Sequence, residues 1–513
     1  MMKFNVKKLG LTSPGLATVI LDDEDSFLIG AKPGDRVTIY PPGKENEPLE
    51  KGIIASVDLA TGSGIVQKGE VGLYDEVMAK LDLKSSEKEV FIQLSSKPRS
   101  FDFIKKKIKG NSLNAAEIRE IIEDVTAGKL LPIEMAAFII ALEIHGCNDE
   151  EVVNLTNAMA QSGEVLDFGP DVYDKHSTGG VPGNKVSLVI VPIIAAAGLF
   201  IPKTSTRAIT SPSGTADSME VLAKVAFSKD EVMNILKKEK VGIFWGGALD
   251  SAPADNALIN IEKQINMDPF PLMIASIICK KMAMGVRKLV LDIPCGKGTK
   301  FPTVDDGREF AHRFKKIAKL VGIDVVCLLT SAQQPVGHAV GPALEAQEAL
   351  RLLREPKKGS SSLMNKSAEL AGILLEMSGK AKEGKGKDMA IEILESRKAY
   401  KTMKRIITTQ GGDPDLDPEK IVVGPHVAEM RIDKSGYITS VENKHVNRIA
   451  KIAGCPAMKT AGIVIEAKLG ANVKEGDVIF RIYSNSEKRL ERAVEYYNAN
   501  PPQKLGSMTL EKI

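Results

Sequence analysis

The sequence predicts a multidomain α/β protein with four parts: a β-rich N-terminal module, a small all-α domain, a large α/β domain with a mostly parallel sheet, and a C-terminal α+β region. Three observations predict this fold class. The chain has 513 residues, which is more than one hydrophobic core normally accommodates. From Phe101 the apolar residues change from short alternating runs to helical spacing. Beyond residue 166, strand-like and helix-like segments alternate, which is typical of a parallel sheet covered by helices.

The β-rich module is predicted over residues 1–86. Short strand-like runs, such as 35–40, 52–59 and 89–94, are separated by turn-forming segments rich in Gly, Pro and Asp. No catalytic pattern stands out in this segment. We therefore interpret it as an assembly or accessory module.

The small helical domain is predicted over residues 87–165, and the helical segment 252–284 is expected to return to it. Apolar residues in this part recur at the spacing of one helix face. Two capping boxes mark helix starts, at Asn114 with Glu117 and at Asn148 with Glu151.

The α/β domain is predicted over 166–251 and 285–412, and the C-terminal α+β region over 413–513. Strands are expected at 199–203, 241–244, 289–293 and 325–329, and helices at 185–197 and 487–498.

Composition excludes several classes of function. The net charge is only +3, and no dense block of Lys and Arg occurs, so the chain has no electrostatic footprint for nucleic acid or a membrane surface. The longest apolar run, 186–201, is interrupted by Ser, Pro and Gly and is too short to cross a bilayer. Five cysteines without a CxxC pair predict reduced thiols rather than disulfides or a zinc site. We expect a cytoplasmic protein without metal or cofactor.

The first motif with chemical content is Lys175-His176-Ser177-Thr178-Gly179-Gly180, between a strand and a helix. Two glycines allow a close approach of the backbone to an anion, and the amide, hydroxyl and ammonium groups are all donors. The motif is neither a P-loop nor a dinucleotide-binding GxGxxG pattern. From these residues alone, a phosphate or carboxylate site and an ordinary strand-to-helix turn are equal alternatives.

The second motif runs from Ser205 to Thr215 and combines hydroxyls, Gly214 and Arg207 before another helix. Asp217 and Glu220 have the spacing of a capping box for that helix, so we assign them no catalysis. Because both motifs follow strands of one predicted parallel sheet, they should line one crevice at its carboxyl edge.

These two motifs, together with the stretch ASIICKK at 275–281, resemble the thymidine phosphorylase family, also called pyrimidine nucleoside phosphorylases. The resemblance covers the chain from about residue 95 to its end. Within that family the chain is more similar to the archaeal AMP phosphorylases, because it has the N-terminal module, one more residue in the loop 180–185, and TRAITS at 206–211. The arginine that holds the pyrimidine in the thymidine enzymes is replaced by Ile261.

The resemblance implies a set of site residues. Asp268 would be the proton donor, although an Asp-Pro pair commonly marks a turn. The nucleotide would be bound by Gly180, Thr206, Arg207, Ala208, Ile209, Thr210, Ser211, Thr215, Ser276 and Lys300. Phosphate and base contacts would come from Lys175, His176, Ser177, Ser187, Ser205 and Lys280. Taken without the family, Lys280 and Lys281 could be exposed helix lysines.

The implied reaction is phosphorolysis of AMP, and of CMP and UMP, to the free base and ribose 1,5-bisphosphate. Lys300, Arg207 and the loop 180–185 are the candidates for the 5′-phosphate, since Arg and Lys both suit phosphate. The donor role of Asp268 requires burial or a neighbouring anion that keeps its proton. The alternatives are a pyrimidine nucleoside phosphorylase, a phosphoribosyltransferase and a non-catalytic nucleotide-binding regulator. The expected partners are nucleotide, phosphate and further copies of the chain, as a dimer or a larger homo-oligomer.

Overall fold

The computed structural model describes residues 1–12, 17–43, 52–62, 64–83, 88–208, 211–249 and 251–506. The chain divides into two compact units. The first comprises Met1–Glu164 and Ala252–Cys279, and the second comprises Val165–Ser251 and Lys280–Ile513. Within the described part, no helix is long and apolar enough to cross a membrane, and all five cysteines are free thiols, as the sequence predicts.

The N-terminal module is a closed six-stranded barrel. In spatial order its strands are Met2–Lys8, Glu70–Leu73, Thr18–Asp22, Ile53–Ala60, Arg36–Tyr40 and Glu89–Leu94. Two short helices, Asp23–Ile29 and Asp75–Leu81, lie between strands. The last strand, Glu89–Leu94, pairs with both the first and the third strand along the chain, Met2–Lys8 and Arg36–Tyr40, and so closes the barrel. The module therefore extends past the boundary at residue 86. The run 89–94 has a strand-like pattern, but its pairing with distant strands has no local signal in the sequence.

The helical part of the first unit contains the helices Ser100–Ile108, Ala115–Thr126, Pro132–His145, Asp149–Gln161 and Pro253–Ile265. Both capping boxes expected from the sequence are confirmed, at Asn114 and Asn148. The helix Pro253–Ile265 packs against Ala115–Thr126 and Pro132–His145. The helix Phe270–Ala283 follows it, and the boundary between the units falls after Cys279.

The α/β part of the second unit has a parallel sheet, as the sequence predicts. Lys288–Cys295 lies between Asp324–Ser331 and Tyr173–Ser177 and is parallel to both. Ile201–Ser205 is parallel to Val241–Trp245. A parallel bridge between Val172 and Phe200 joins the two sets of strands. The strands that carry the two motifs are therefore neighbours, and their carboxyl ends face the same edge.

Helices cover this sheet. They are Ser187–Ala196, Thr215–Met219, Lys229–Glu239, Gly246–Leu249, Val304–Leu320, Pro342–Arg354, Ser361–Met377, Gly386–Glu395 and Lys398–Thr409. The helix Ser187–Ala196 is the centre of the largest apolar cluster, and seven of its residues, including Leu188, Ile190 and Ile194, are completely buried or nearly so. Its all-round apolar surface is covered by the strands Ile201–Ser205 and Val241–Trp245 and by other helices, including Ser361–Met377 and Lys398–Thr409.

The C-terminal region consists of two small sheets and two helices. One sheet has the order Ala339–Val340, Gly462–Ile465, Val478–Ser484 and His426–Arg431, and the other has Asn472–Val473, Gly436–Val441 and Gln503–Gly506. The helices are Asn443–Ala453 and Glu487–Ala499. Because Ala339–Val340 belongs to the α/β part, its pairing with Ile463 and Val464 connects the two parts of this unit directly.

Candidate functional site

The glycine-rich loop after Tyr173–Ser177 is built by left-handed backbone. Gly179 and Gly180 have φ of +85° and +89°, which only glycine adopts readily. A Cβ on Gly180 would lie 3.2 Å from Thr299 Cα and 3.4 Å from the Lys300 nitrogen. The loop therefore lies directly against the segment that carries Lys300, and the structure brings these two predicted residues together.

Lys175 is the buried cation of this loop, at 3% exposure. Within the part of the chain that the structure describes, its ammonium group has no hydrogen bond or ion pair. Burial lowers the pKa of Lys175 to about 8; Asp292 opposes the shift and Lys366 adds to it. A buried cation without a partner is unfavourable unless an anion joins it. This ammonium group is thus suited to receive an anionic ligand.

Asp292 organises the side chains around Lys175. The hydroxyls of Thr330 and Ser177 donate to its carboxylate at 2.6 and 2.8 Å, and Lys366 lies 3.0 Å away. Burial alone would raise the pKa of Asp292, but the ammonium groups of Lys366 and Lys175 and the two hydroxyls together lower it. Because Ser177 donates its proton to Asp292, that proton is not directed at a ligand in this arrangement.

A second buried charge cluster is centred on Asp174. Lys281 donates to its carboxylate at 2.6 Å, and Lys203 lies 3.3 Å away. Burial lowers the pKa of Lys203 to about 7, against the attraction of Asp174. The interpretation of Lys281 as an exposed helix lysine is wrong: it is only 1% exposed, because the end of its helix turns this side chain towards the interior. Lys280 beside it is half-buried.

His176 lies among these lysines. Residues alternate along a strand, so His176 shares the face of Asp174, whereas Lys175 and Ser177 share the opposite face. Burial and the positive charges of Lys281 and Lys203 lower the pKa of His176 well below its ordinary value. The imidazole is therefore neutral near pH 7 and can act as one donor and one acceptor.

The second loop is held by two carboxylates. Asp217 accepts hydrogen bonds from the backbone nitrogens of Ala208 and Gly214, at 2.7 and 2.9 Å. Glu220 accepts two hydrogen bonds from Arg207, at 2.7 and 2.8 Å. The predicted capping box of Asp217 with Glu220 is wrong, because the helix begins at Thr215 and Asp217 is its third residue. The carboxylates fix the loop instead.

The remaining residues of this loop differ in exposure. Thr206 is exposed, whereas Ser205, Ala208, Ser211 and Thr215 are half-buried. The hydroxyl of Ser211 donates to the carbonyl of Ser213 at 2.9 Å. Ile209 and Thr210, which the resemblance also placed in the site, lie outside the described residues.

The other candidates are distributed over both units. In the second unit, Ser187 is buried in the first turn of its helix and Lys300 is exposed. In the first unit, Asp268 is exposed and Ser276 is half-buried. Of the two environments that would suit a proton donor, burial is thus not found for Asp268.

The one lysine of the loop 180–185, Lys185, is not available to bind a ligand. Lys185 is completely buried as a side chain and donates to the carbonyls of Gly183, Val336 and Ala339, each at 2.9 Å. It also lies 2.9 Å from Glu348. As a candidate for the 5′-phosphate Lys185 is therefore wrong, because carbonyls and a carboxylate already satisfy its ammonium group.

Sequence reasoning missed several members of the site, namely Asp174, Lys203, Lys281, Asp292 and Lys366. The alternation of charged residues around Lys175 was a possible signal for Asp174. Lys366 lies on the helix Ser361–Met377, far along the chain from Lys175, so no local sequence pattern indicates that it belongs to the site. Among the described residues, no group of three or more His, Cys, Asp or Glu side chains is arranged to hold a metal ion.

Comparisons with known proteins show the family of the chain. Three family models match: the helical bundle domain of a glycosyl transferase family at residues 101–163, the a/b domain of that family at 169–400, and the pyrimidine nucleoside phosphorylase C-terminal domain at 437–502. An AMP phosphorylase of Thermococcus kodakarensis is 44% identical over 100% of this chain and 99% of its own length. AMP phosphorylases of Methanococcus vannielii and Methanocaldococcus jannaschii are 42% and 41% identical, over 100% and 96% of this chain and 99% and 96% of their own lengths.

A solved structure extends the fold comparison. The anthranilate phosphoribosyltransferase of Thermus thermophilus matches with a TM-score of 0.52 and 20% sequence identity, over 60% of this chain and 99% of its own. At this identity the likeness concerns the fold alone.

Proposed function

The chain belongs to the AMP phosphorylase family, a pentosyltransferase family, and on that premise we propose that it cleaves the N-glycosidic bond of AMP with inorganic phosphate. The products would be adenine and ribose 1,5-bisphosphate. The observation that carries this proposal is the buried ammonium group of Lys175, which has no ion pair in the described part of the chain and lies at the glycine-rich loop.

Lys175 would hold the attacking phosphate. The dianion would satisfy the ammonium group, and the N–H groups of the left-handed Gly179–Gly180 backbone would add donors. Ser187 and Ser205 are the hydroxyl candidates for the same phosphate. Phosphate is already a competent nucleophile, so the protein's contribution would be positioning and charge stabilisation rather than activation.

His176 would contact the base or the sugar as a neutral group. Its lowered pKa prevents it from carrying a charge that would repel the oxocarbenium-like sugar formed when the base departs. Lys280 and Ser276 are further candidates for contacts with the nucleoside.

Asp268 would donate a proton to the ring nitrogen of adenine as the C1′–N bond breaks. The C1′–O bond to phosphate forms in the same step, and the proton of the attacking hydrogen phosphate replaces the one that Asp268 loses, so atoms and charge balance. No metal or cofactor takes part in this proposal.

The 5′-phosphate would be bound by Arg207 and Lys300, together with the loop from Thr206 to Ser211 and with Thr215. Gly180 would allow the close approach of the phosphate loop to Lys300. Two separate sets of donors are needed because the substrate anion and the attacking anion are both present. We further propose a homo-oligomer in the cytoplasm, which sedimentation and fractionation would test.

The test is product analysis. Purified protein is incubated with AMP, with and without phosphate, and adenine is followed by liquid chromatography and the bisphosphate by ³¹P NMR. The proposal expects adenine only when phosphate is present, and CMP and UMP are tested in parallel to define the range of bases. Lys175→Met should abolish most of the activity, and Lys404→Met, which removes an exposed lysine paired with Asp415, is the matched control. Adenine release that is independent of phosphate would contradict the proposal.

A further inference from the structure

Glu220 and Trp245 hold the guanidinium group of Arg207 from two sides. Neither the motifs nor the comparisons assign these two residues a role in substrate binding. Glu220 accepts from both terminal nitrogens of its guanidinium group, at 2.7 and 2.8 Å. The indole ring of Trp245 lies under the guanidinium plane, with 4.6 Å between the Arg207 Cζ and the ring centroid. Trp245 stands at the carboxyl end of Val241–Trp245, the strand next to the one that carries the second loop. A bidentate pair and a stacked ring together restrict the guanidinium to one orientation.

The C-terminal region reaches the same carboxylate. Lys459 donates to Glu220 Oε2, the oxygen that also accepts from Arg207 Nη1. Asp217 completes the cluster: one of its oxygens lies 3.8 Å from Arg207 Nη1, and the other accepts from two backbone nitrogens. Glu220 therefore shares its charge between Arg207 and Lys459, while Asp217 faces Arg207 at a longer distance.

The pair remains accessible to a ligand. The side chain of Arg207 is 37% exposed, whereas that of Glu220 is 21% exposed. Glu220 occupies one N–H of each terminal nitrogen, and a guanidinium group has five N–H donors, so three donors remain. Two of them, the Nε–H and the outer N–H of the neighbouring terminal nitrogen, share one edge of the guanidinium group and can donate to two oxygens of a phosphate monoester.

We propose that Glu220 and Lys459 are positioning residues that hold Arg207 for the 5′-phosphate, so that the C-terminal region sets the preference for a nucleotide over a nucleoside. This inference rests on the proposed function, because it assigns Arg207 to the substrate's phosphate. A purely structural role of these two residues would affect the binding of AMP and of adenosine alike. Loss of either residue should weaken the binding of AMP and leave the binding of adenosine unchanged.

The experiment measures binding and turnover separately. Calorimetric titrations give the Kd of AMP and of adenosine for the wild type, Glu220→Gln, Lys459→Met and Lys459→Arg. Glu220→Gln should raise the Kd and the KM for AMP about tenfold with little change in kcat, because orientation of Arg207 affects ground state and transition state alike. Lys459→Met should raise them about threefold, and Lys459→Arg should restore the wild-type values.

Trp245 provides a signature of the mechanism, since it is the single tryptophan of the chain. Its emission should change in Glu220→Gln without ligand, as Arg207 leaves the ring, and AMP should then alter the emission less than in the wild type. Glu419→Gln is the control, because it breaks another Arg–Glu pair, with Arg351, far along the chain from the second loop. That variant should bind and fluoresce like the wild type.

The outcomes separate the two ideas. If the wild type binds AMP more tightly than adenosine but releases no adenine with phosphate, the proposed function fails and the positioning role is still measured by the Kd values. If Glu220→Gln weakens AMP and adenosine equally, or weakens neither, the positioning role is overturned while phosphorolysis stands. Equal affinity of the wild type for AMP and adenosine would also overturn it.

Discussion

The substitution Lys175→Met should make the protein more stable and less active at the same time. A lysine whose pKa falls from 10.5 to about 8 carries an unfavourable free energy of about 3 kcal/mol in its charged form. Methionine has a similar length and no charge, so at pH 7 the free energy of unfolding should rise by up to about 3 kcal/mol. Because the variant lacks the ammonium group that would pair with phosphate, phosphate should bind about 10- to 100-fold more weakly.

The destabilisation that the charged Lys175 causes depends on pH. Below pH 8, Lys175 is charged in both the folded and the unfolded protein, so the whole penalty is present. Between pH 8 and 10.5 the unfolded chain binds a proton that the folded protein does not, so this group makes the free energy of unfolding rise with pH. The gain from Lys175→Met should therefore shrink to about 1 kcal/mol near pH 9.5.

Urea denaturation at pH 7 and pH 9.5, each with and without phosphate, measures both effects. We expect phosphate to stabilise the wild type much more than the variant. Lys404→Met should show neither the gain nor the altered response to phosphate. The reasoning is refuted if Lys175→Met is less stable than the wild type in phosphate-free buffer, or if phosphate stabilises both equally.

Three further predictions concern the same site. The KM for phosphate should rise with pH above about 8, as the free enzyme loses the proton of Lys175, and initial rates between pH 6 and 10 should show this rise in the wild type but not in Lys175→Met. Lys281→Met should lower the free energy of unfolding by about 3 kcal/mol, because it leaves buried Asp174 with Lys203 alone; a urea midpoint like that of the wild type would speak against it. Gly180→Ala should lose at least tenfold in kcat/KM, since its φ of +89° is unfavourable for alanine and the new methyl group would lie 3.2 Å from Thr299 Cα; full activity would show that this approach of the loops is not needed.

Local patterns predicted local structure well. The capping boxes at Asn114 and Asn148 are present because they involve only residues within one turn of helix. The parallel sheet followed from alternating strand and helix patterns. Strand Glu89–Leu94 was assigned to the wrong side of a boundary, since its role in closing the barrel depends on partners far along the chain.

The site was predictable where a motif carries its own chemistry. The glycines and Lys175 indicated an anion site as one of two equal alternatives, beside an ordinary strand-to-helix turn. The direction of a lysine side chain has no such signal: Lys185 and Lys281 are both buried in ion pairs, and only their tertiary neighbours Glu348 and Asp174 explain it. The partnership of Arg207 with Glu220 was likewise hidden, because the spacing from Asp217 to Glu220 imitates a helix cap.

Transfer of isotope from phosphate tests the central claim most directly, namely that inorganic phosphate held at Lys175 attacks the anomeric carbon. The protein is incubated with AMP and phosphate labelled with ¹⁸O at all its oxygens, and the sugar product is analysed by ³¹P NMR and mass spectrometry. The account predicts that the label is retained in full in the new 1-phosphate, including its bridging oxygen, and that Lys175→Met forms little of this product. Adenine accompanied by unlabelled ribose 5-phosphate would contradict it, because water would then be the nucleophile.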